Sequence, residues 1–296
     1  MKYVVTGGRG FIGSHFVEKA LERGDVVIDI DKMSYASHKK LPWDDHERYT
    51  FIKEDISELT HLPSCDVVVN FAAESHVDNS IKWTEPFVKS NVIGVHNLLE
   101  LLRGKADYDR PLFFHISTDE VYGDRNDGTF VETDALTPSN PYSGTKAAAE
   151  MLIMAYHRTY GIDYIISRSA NNYGPRQFEE KLIPKCISCI KNNKKIPVHG
   201  DGTYIRDWTY VKDNVDGIFC IIDNEAKNEI FNIASENHMK NLDVVKEILS
   251  WFEKDNDLIQ FVPNRWGQDL RYSIDSSKLR SLGWTPKFAK GLHKWF

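Results

Sequence analysis

The chain of 296 residues is 41% hydrophobic and 27% charged, with a formal net charge of -6; it can fill one large core, with or without a smaller lobe, but offers no basic stripe to neutralise a nucleic-acid backbone. Its four cysteines, Cys65, Cys186, Cys189 and Cys220, are too few and too scattered for a disulfide scaffold, and the C-x-x-C of Cys186 and Cys189 falls on an expected helix with no second pair to complete a zinc set. No apolar run approaches the ~20 residues of a bilayer span, and the first strand opens where a leader would lie, so the expectation is a cytoplasmic protein without nucleic-acid, membrane or metal partner.

Short apolar runs alternate with amphipathic stretches through the first two-thirds of the chain. Strands are expected at 3–6, 26–31, 50–54, 66–73, 112–118 and 164–169, and helices at 11–23, 84–103 and 142–160. Continuous Val/Ile/Phe runs separated by helices imply a doubly wound parallel sheet covered on both faces, an α/β fold of Rossmann type. Beyond Asn171 the pattern breaks into shorter elements around Pro175, Pro184, Pro197 and Gly200, with helices expected at 179–192, 211–224 and 242–254. This predicts a large unit over residues 1–174 and a smaller C-terminal α/β lobe over 175–296.

The first strand runs into a glycine loop and a helix, Thr6-Gly7-Gly8-Arg9-Gly10-Phe11-Ile12-Gly13. Glycines at this crossover let the backbone turn tightly against a pyrophosphate, whose charge faces the amides of a helix N-terminus. Asp31 ends the second strand at the fingerprint spacing; its carboxylate can accept from adenosine ribose hydroxyls and repel a 2′-phosphate, which favours NAD over NADP, although the neighbouring cations Arg9 and Lys32 can soften that preference. Asp55 and Ile56 can flank the adenine, and the small Ala72 and Ala73 leave space for the cofactor.

Further on, Ser117-Thr118-Asp119-Glu120 closes the fifth strand, and Tyr142 and Lys146 open a helix at i and i+4, on one face. An ammonium beside a phenol favours the phenolate, so Tyr142 is expected to be a general base of lowered pKa, with the Thr118 hydroxyl directed at the same oxygen. Asp119 and Glu120 lie where open α/β sheets bind ligands. Arg206 and Arg265 are the guanidinium forks best suited to a diphosphate.

Taken together, TGGRGFIGSH from Thr6, NFAAESHVDNS from Asn70, STDEVYGD from Ser117, PYSGTKAAAE from Pro141, NNYGPRQFEEKLIP from Asn171 and IRDWTYVKDN from Ile205 resemble the extended short-chain dehydrogenases/reductases, and among them the dTDP-glucose or UDP-glucose 4,6-dehydratases, along essentially the whole chain. The resemblance implies a bound NAD held by Gly7, Gly10, Phe11, Ile12, Gly13, Asp31, Lys32, Ser34, Asp55, Ile56, Ala72, Ala73, Ser75, Asn91, Tyr142, Lys146 and Asn171. It implies a catalytic set of Thr118, Asp119, Glu120, Tyr142 and Lys146: Tyr142 deprotonates the hexose 4-hydroxyl, Glu120 takes the proton on carbon 5 and Asp119 protonates the departing 6-hydroxyl. A nucleotide sugar would be met by His76, Thr118, Asn172, Lys181, Leu182, Pro197, His199, Arg206, Asn241, Arg265 and Tyr272. The resemblance also implies a homodimer packed through the helices from Thr84 and Tyr142, where Met151, Leu152, Ala155 and Tyr156 at helical spacing form an apolar stripe that is either dimer surface or core.

The sequence departs from the resemblance where the family reads Arg-Pro-Gly-His-Asp and this chain reads Arg265-Trp266-Gly267-Gln268-Asp269, which leaves the nucleotide open, and it stops at Phe296 within the first turns of the family's final helix. A 4-epimerase or decarboxylase on the same scaffold would share the Tyr-Lys pair and NAD without needing the Asp119-Glu120 pair. A non-catalytic NAD-binding subunit would tend to lack the tyrosine or the lysine.

Overall fold

The computed structural model describes residues 1–264, 266–267 and 269–295. In chain order its strands are β1 (Lys2–Thr6), β2 (Val26–Ile30), β3 (Tyr49–Ile52), β4 (Val67–Asn70), β5 (Leu112–Thr118), β6 (Tyr164–Ser169), β7 (Asn171–Tyr173), β8 (Ile196–His199), β9 (Ile205–Tyr210), β10 (Glu229–Ile233), β11 (His238–Lys240) and β12 (Ile259–Val262). Seven of them form one parallel sheet in the order β3-β2-β1-β4-β5-β6-β10. The order reverses between β1 and β4, and a crevice opens there beyond the C-terminal strand ends. The fold is the expected Rossmann-type α/β.

Strand alternation sends neighbouring side chains to opposite faces. Tyr3 and Val5 pack with Phe16, Val17 and Ala20 of the helix Phe11–Glu22 and with Ile218 and Phe219 of the helix Val211–Asp223. Val4 and Val68 pack on the other side with Leu98 and Leu102 of the helix Gly94–Arg103 and with Ala149 and Ile153 of the helix Pro141–Tyr160. Beyond Ala170, β7, β9 and β11 form a small sheet, and β8 pairs with β12. The helices Leu182–Lys191 and Asn241–Trp251 close a separate core there that includes Cys186, Trp208 and Ile248.

The structure redraws three expectations. The chain does not remain in the small lobe after residue 174, because the helix Val211–Asp223 and β10 return to the large sheet. The helix expected at 84–103 runs from Glu85 to Arg103 but widens into a π turn at Lys89–Ile93, and a separate helix at Val77–Lys82 precedes it. A Cβ on Gly94 would meet the end of the Ile56 side chain, with Cδ1 at 2.6 Å, so the glycine leaves that side chain its place. The strand expected at 66–73 is confined to β4, because the chain leaves the sheet after Asn70, and Phe71, Ala72, Ala73 and Ser75 line the crevice.

Candidate active site

The glycine loop is shaped by contact. Gly7 has φ +73°, and a Cβ on it would lie 2.6 Å from the Ala72 amide nitrogen; a Cβ on Gly13 would lie 2.3 Å from the Gly7 carbonyl oxygen. Bare backbone alone closes this turn, and Phe11, Ile12 and Gly13, the first turn of the helix, line the crevice with the amides that a helix leaves without internal partners. Asp31 is buried and receives the Arg9 amide (3.1 Å), the Met33 amide (2.7 Å) and the Ser37 hydroxyl (3.1 Å). Two carboxylate oxygens have about four acceptor sites, so capacity is left for a ribose hydroxyl.

Neither neighbouring cation is left for a 2′-phosphate. The Arg9 guanidinium pairs with Asp44 at 2.7 Å and stacks on Phe51 at 4.3 Å, and Lys32 Nζ donates to Glu74 Oε1 at 2.8 Å and Ser90 Oγ at 2.9 Å. The softening read from sequence neighbours is thereby corrected. Lys32, Ser34, Asp55, Ile56, Ala72, Ala73, Ser75, Tyr142 and Lys146 line the same crevice with Gly7 and Gly10. Asn91 and Asn171 do not. Asn91 is buried one layer back, where its amide group exchanges hydrogen bonds with the Glu74 main chain (2.9 and 3.0 Å) and donates to Thr145 Oγ1 (2.9 Å), so it fixes the crevice wall. Asn171 opens β7.

The wall also contains residues the sequence reading missed: Ala36 and Ser37 after β2, and Gln177, Phe178 and Glu180 after β7. These two loops meet over the crevice, where Tyr35 donates to Glu180 (2.9 Å) and stands edge-on to Phe178 at 5.3 Å.

At the other end, Asn140 caps the helix Pro141–Tyr160: its side chain accepts from the Ser143 amide (3.0 Å), Ser143 Oγ accepts from the Asn140 amide (3.3 Å), and Pro141 occupies the first turn. The cap fixes Tyr142 and Lys146 beside the end of β5. Tyr142 is 9% exposed and Lys146 2%. Lys146 Nζ donates to the Ile116 carbonyl (2.6 Å) and contacts His115 Nε2 (3.0 Å), whose Nδ1 meets Asn70 Nδ2 (2.9 Å). Burial lowers the Lys146 pKa to about 8, opposed by Glu150.

The expected acidification of Tyr142 is corrected in the protein alone. Burial, and then the neighbouring Glu120, pushes the phenol pKa up, and the nearby Thr118 hydroxyl offsets only part of this. The lysine is turned to Ile116 and His115 and does not enter the balance.

Asp119, 3% exposed, has its carboxyl pKa raised well above the usual range by burial and then by Glu120, and its Oδ2 has no partner. Thr118 Oγ1 donates to Asp119 Oδ1 (3.2 Å) and accepts the Glu120 amide (3.3 Å). Glu120 is half-buried; its Oε2 lies 3.3 Å from Asn140 Nδ2 and 3.5 Å from the Tyr272 hydroxyl, which donates to Asp269 at 2.6 Å. Burial thus favours the neutral acid at Asp119, with the Glu120 side chain beside it. The chain also places Asp207 near Asp119; burial raises its pKa to about 7, and sequence reading passed over it.

Arg206 is 5% exposed, stacks on Tyr272 at 4.1 Å, and donates to the carbonyls of Ile205 (2.7 Å) and Asp269 (2.8 Å). Lys181 donates to the Ser75 carbonyl (2.8 Å) at the crevice, and Leu182 begins the next helix. Asn172 lies on β7, its Oδ1 buried without a partner; Asn241 starts the helix after β11. Pro197 and His199 lie on β8, with the His199 ring 3.0 Å from the Pro263 carbonyl. His76 does not line the crevice; it stands at the N-cap position of the helix Val77–Lys82 without a side-chain capping bond, its Nδ1 buried and unpartnered. Arg265 and Gln268 lie outside the described residues.

A Rossmann sheet, a glycine loop at its first crossover and a Tyr-Lys pair beside β5 define a short-chain-type dinucleotide enzyme. The sequence profile of the GDP-mannose 4,6 dehydratase family matches residues 4–294. The chain is 44% identical to the low-salt glycan biosynthesis protein Agl12 of Haloferax volcanii, covering 98% of this chain and 94% of that one. It is 41% identical to a dTDP-glucose 4,6-dehydratase of Neisseria gonorrhoeae, over 98% and 93%. Among solved structures, it superposes on DesIV, a dTDP-glucose 4,6-dehydratase from Streptomyces venezuelae with NAD bound, with a TM-score of 0.93, 37% identity and coverage of 97% and 92%. The chain belongs to the GDP-mannose 4,6-dehydratase family, within the extended short-chain dehydrogenases/reductases.

Proposed function

We propose that this protein is an NAD-dependent 4,6-dehydratase that converts a nucleoside-diphosphate glucose, with dTDP or UDP as its nucleotide, to the 4-keto-6-deoxy sugar. One observation carries the reading: Thr118, the neutral Asp119, Glu120 and Tyr142 gather where the end of β5 meets the start of the helix Pro141–Tyr160. An epimerase needs the phenol but not the acid and base beside it.

The cradle fits NAD, because a loop that a single Cβ would fill presents helix amides to a pyrophosphate and Asp31 stands at the ribose position. When bound, NAD supplies a hydride acceptor for carbon 4 and a donor for carbon 6, and its cationic ring favours the phenolate that the protein alone disfavours. Tyr142 then takes the proton of the 4-hydroxyl. The ketone acidifies carbon 5, from which Glu120 removes a proton, while Asp119 protonates the 6-hydroxyl as it leaves as water. The environment of Asp119 pushes it toward the protonated form, as its work as an acid requires. Lys146 orients the phenol and the cofactor, and Thr118 hydrogen-bonds the phenol. Arg206 and Lys181, with Asn172 and Asn241, serve the diphosphate end once a substrate displaces their present contacts.

The protein acts as a homodimer in this reading. Val88, Ile93, Met151 and Tyr160 are exposed on the helices that would meet across a twofold axis. Parallel incubation with dTDP-glucose, UDP-glucose and GDP-mannose, read by mass spectrometry, tests the function. Loss of one water from a glucose nucleotide is expected, and an unchanged mass or a mere hexose isomer refutes it.

A further inference from the structure

NAD and NADP differ by one phosphate on the adenosine 2′-oxygen, so the side chains around Asp31 decide between them. The Asp31 carboxylate repels that phosphate, but a cation beside it can reverse the preference. Two cations neighbour Asp31. Arg9 is 4% exposed, pairs with Asp44 at 2.7 Å, stacks on Phe51 and does not line the crevice. Lys32 directly follows Asp31 and does line it, so the direction of its ammonium settles the matter. The inference rests on the reading of the crevice as a dinucleotide site, and not on the sugar chemistry.

We infer that Glu74 is a specificity-determining positioning residue: it holds the Lys32 ammonium away from the adenosine ribose and so keeps the crevice for NAD. Lys32 Nζ donates to Glu74 Oε1 at 2.8 Å and to Ser90 Oγ at 2.9 Å. Lys32 follows β2, whereas Glu74 follows β4 and Ser90 belongs to the π turn Lys89–Ile93. In the sheet, β1 separates β2 from β4, which sets those two strand ends about 10 Å apart. The ammonium is therefore drawn past the end of β1, away from residues 31–37, whose Met33 amide and Ser37 hydroxyl surround the Asp31 carboxylate.

The position of Glu74 suits a holding role. Its side chain is 18% exposed and stands behind the crevice lining. Its main chain is fixed by Asn91, through the amide at 2.9 Å and the carbonyl at 3.0 Å. A 2′-phosphate could recruit Lys32 only by breaking this ion pair and leaving Glu74 without its partner. A dinucleotide that lacks the phosphate leaves the pair intact. The difference between those two costs is the selectivity.

The test titrates cofactor-stripped wild type, Glu74→Ala, Glu74→Gln and the double variant Lys32→Met with Glu74→Ala, each with NAD and with NADP, by calorimetry. The ratio of the two affinities is the readout, because a merely structural loss weakens both dinucleotides alike. Wild type should favour NAD. Glu74→Ala, which keeps the main-chain anchors, should raise NADP affinity relative to NAD by about tenfold, the scale of one hydrogen bond between charged groups. Glu74→Gln, which keeps the volume and drops the ion pair, should shift the ratio the same way by about threefold or more. In the double variant the ratio should return to within about twofold of wild type. An unmoved ratio in the Glu74→Gln protein, or in a Glu74→Ala protein that still binds NAD, would overturn the inference. So would an equal gain in the double variant, which would trace the gain to a lost negative charge and not to the freed lysine. A wild type that binds NADP as tightly as NAD overturns it without any variant. A wild type that binds neither dinucleotide defeats the reading of the crevice itself, a different outcome from these.

Discussion

Replacing Gly13 by alanine tests the cofactor cradle with one methyl group. The added carbon falls 2.3 Å from the Gly7 carbonyl oxygen and 3.0 Å from Gly7 C and Gly8 Cα, main-chain atoms that no rotamer change can move. The loop is pinned on both sides, with the Gly7 amide on the Ile30 carbonyl at 2.8 Å and the Gly10 amide on the Gly7 carbonyl at 3.1 Å. Relief takes a displacement of about 1 Å between loop and helix, an overpacking cost of about 1–3 kcal/mol. The same displacement misdirects the first-turn amides. Each charge-assisted hydrogen bond lost to the pyrophosphate costs about 1.5–3 kcal/mol, or about 10- to 150-fold in NAD affinity. Calorimetric titration of cofactor-stripped protein with NAD measures it, with a thermal melt as the control for folding. A folded Gly13→Ala variant that binds NAD within about threefold of wild type would refute the reasoning.

Other changes follow from the same geometry. Glu120→Gln should lower kcat by about 100- to 10,000-fold and stop water loss while absorbance still reports reduced cofactor; an unchanged yield of 4-keto-6-deoxy sugar would remove Glu120 as the base. Asp207 has its pKa raised to about 7 in the fold by burial, so the folded state keeps a proton that the unfolded chain releases near the ordinary carboxyl value. Its linked stability is full below that ordinary value and is lost as pH rises through 7; melting temperatures should fall between pH 5 and 8, and Asp207→Asn should flatten the fall. Glu150 receives Arg168 Nη2 at 2.7 Å with side chains 0% and 2% exposed, and Ser117 at 2.5 Å. Glu150→Ala strands that guanidinium and should cost about 3–5 kcal/mol, read by urea unfolding.

What the sequence disclosed was local. The glycine loop, the i and i+4 placement of Tyr142 and Lys146, and the adjacency of Asp119 and Glu120 are set by one strand end or one helix, so spacing suffices to find them. What it withheld depends on segments far apart in the chain. The crevice wall joins Ala36 to Phe178 through loops after β2 and β7, and no window of residues contains both. Glu229–Ile233 is short and partly polar, yet β6 recruits it as the seventh strand. In the protein without its cofactor the Tyr142 shift runs opposite to the expected one, because sequence gives the lysine's spacing but not its hydrogen bonds: the ammonium is engaged by Ile116 and His115, while burial and Glu120 act on the phenol. His115 itself is buried inside β5, and only its contacts reveal it beside the catalytic lysine.

The central claim is that a phenol, an acid and a base converge on one pyranose. A crystal structure of the Glu120→Gln protein with NAD and a nucleoside-diphosphate glucose tests it most directly. The account predicts the Tyr142 oxygen at the 4-hydroxyl, the residue 120 side chain at the carbon 5 hydrogen and the Asp119 carboxyl at the 6-hydroxyl. A hexose bound in the crevice with its carbon 6 turned away from Asp119 and residue 120 would contradict it.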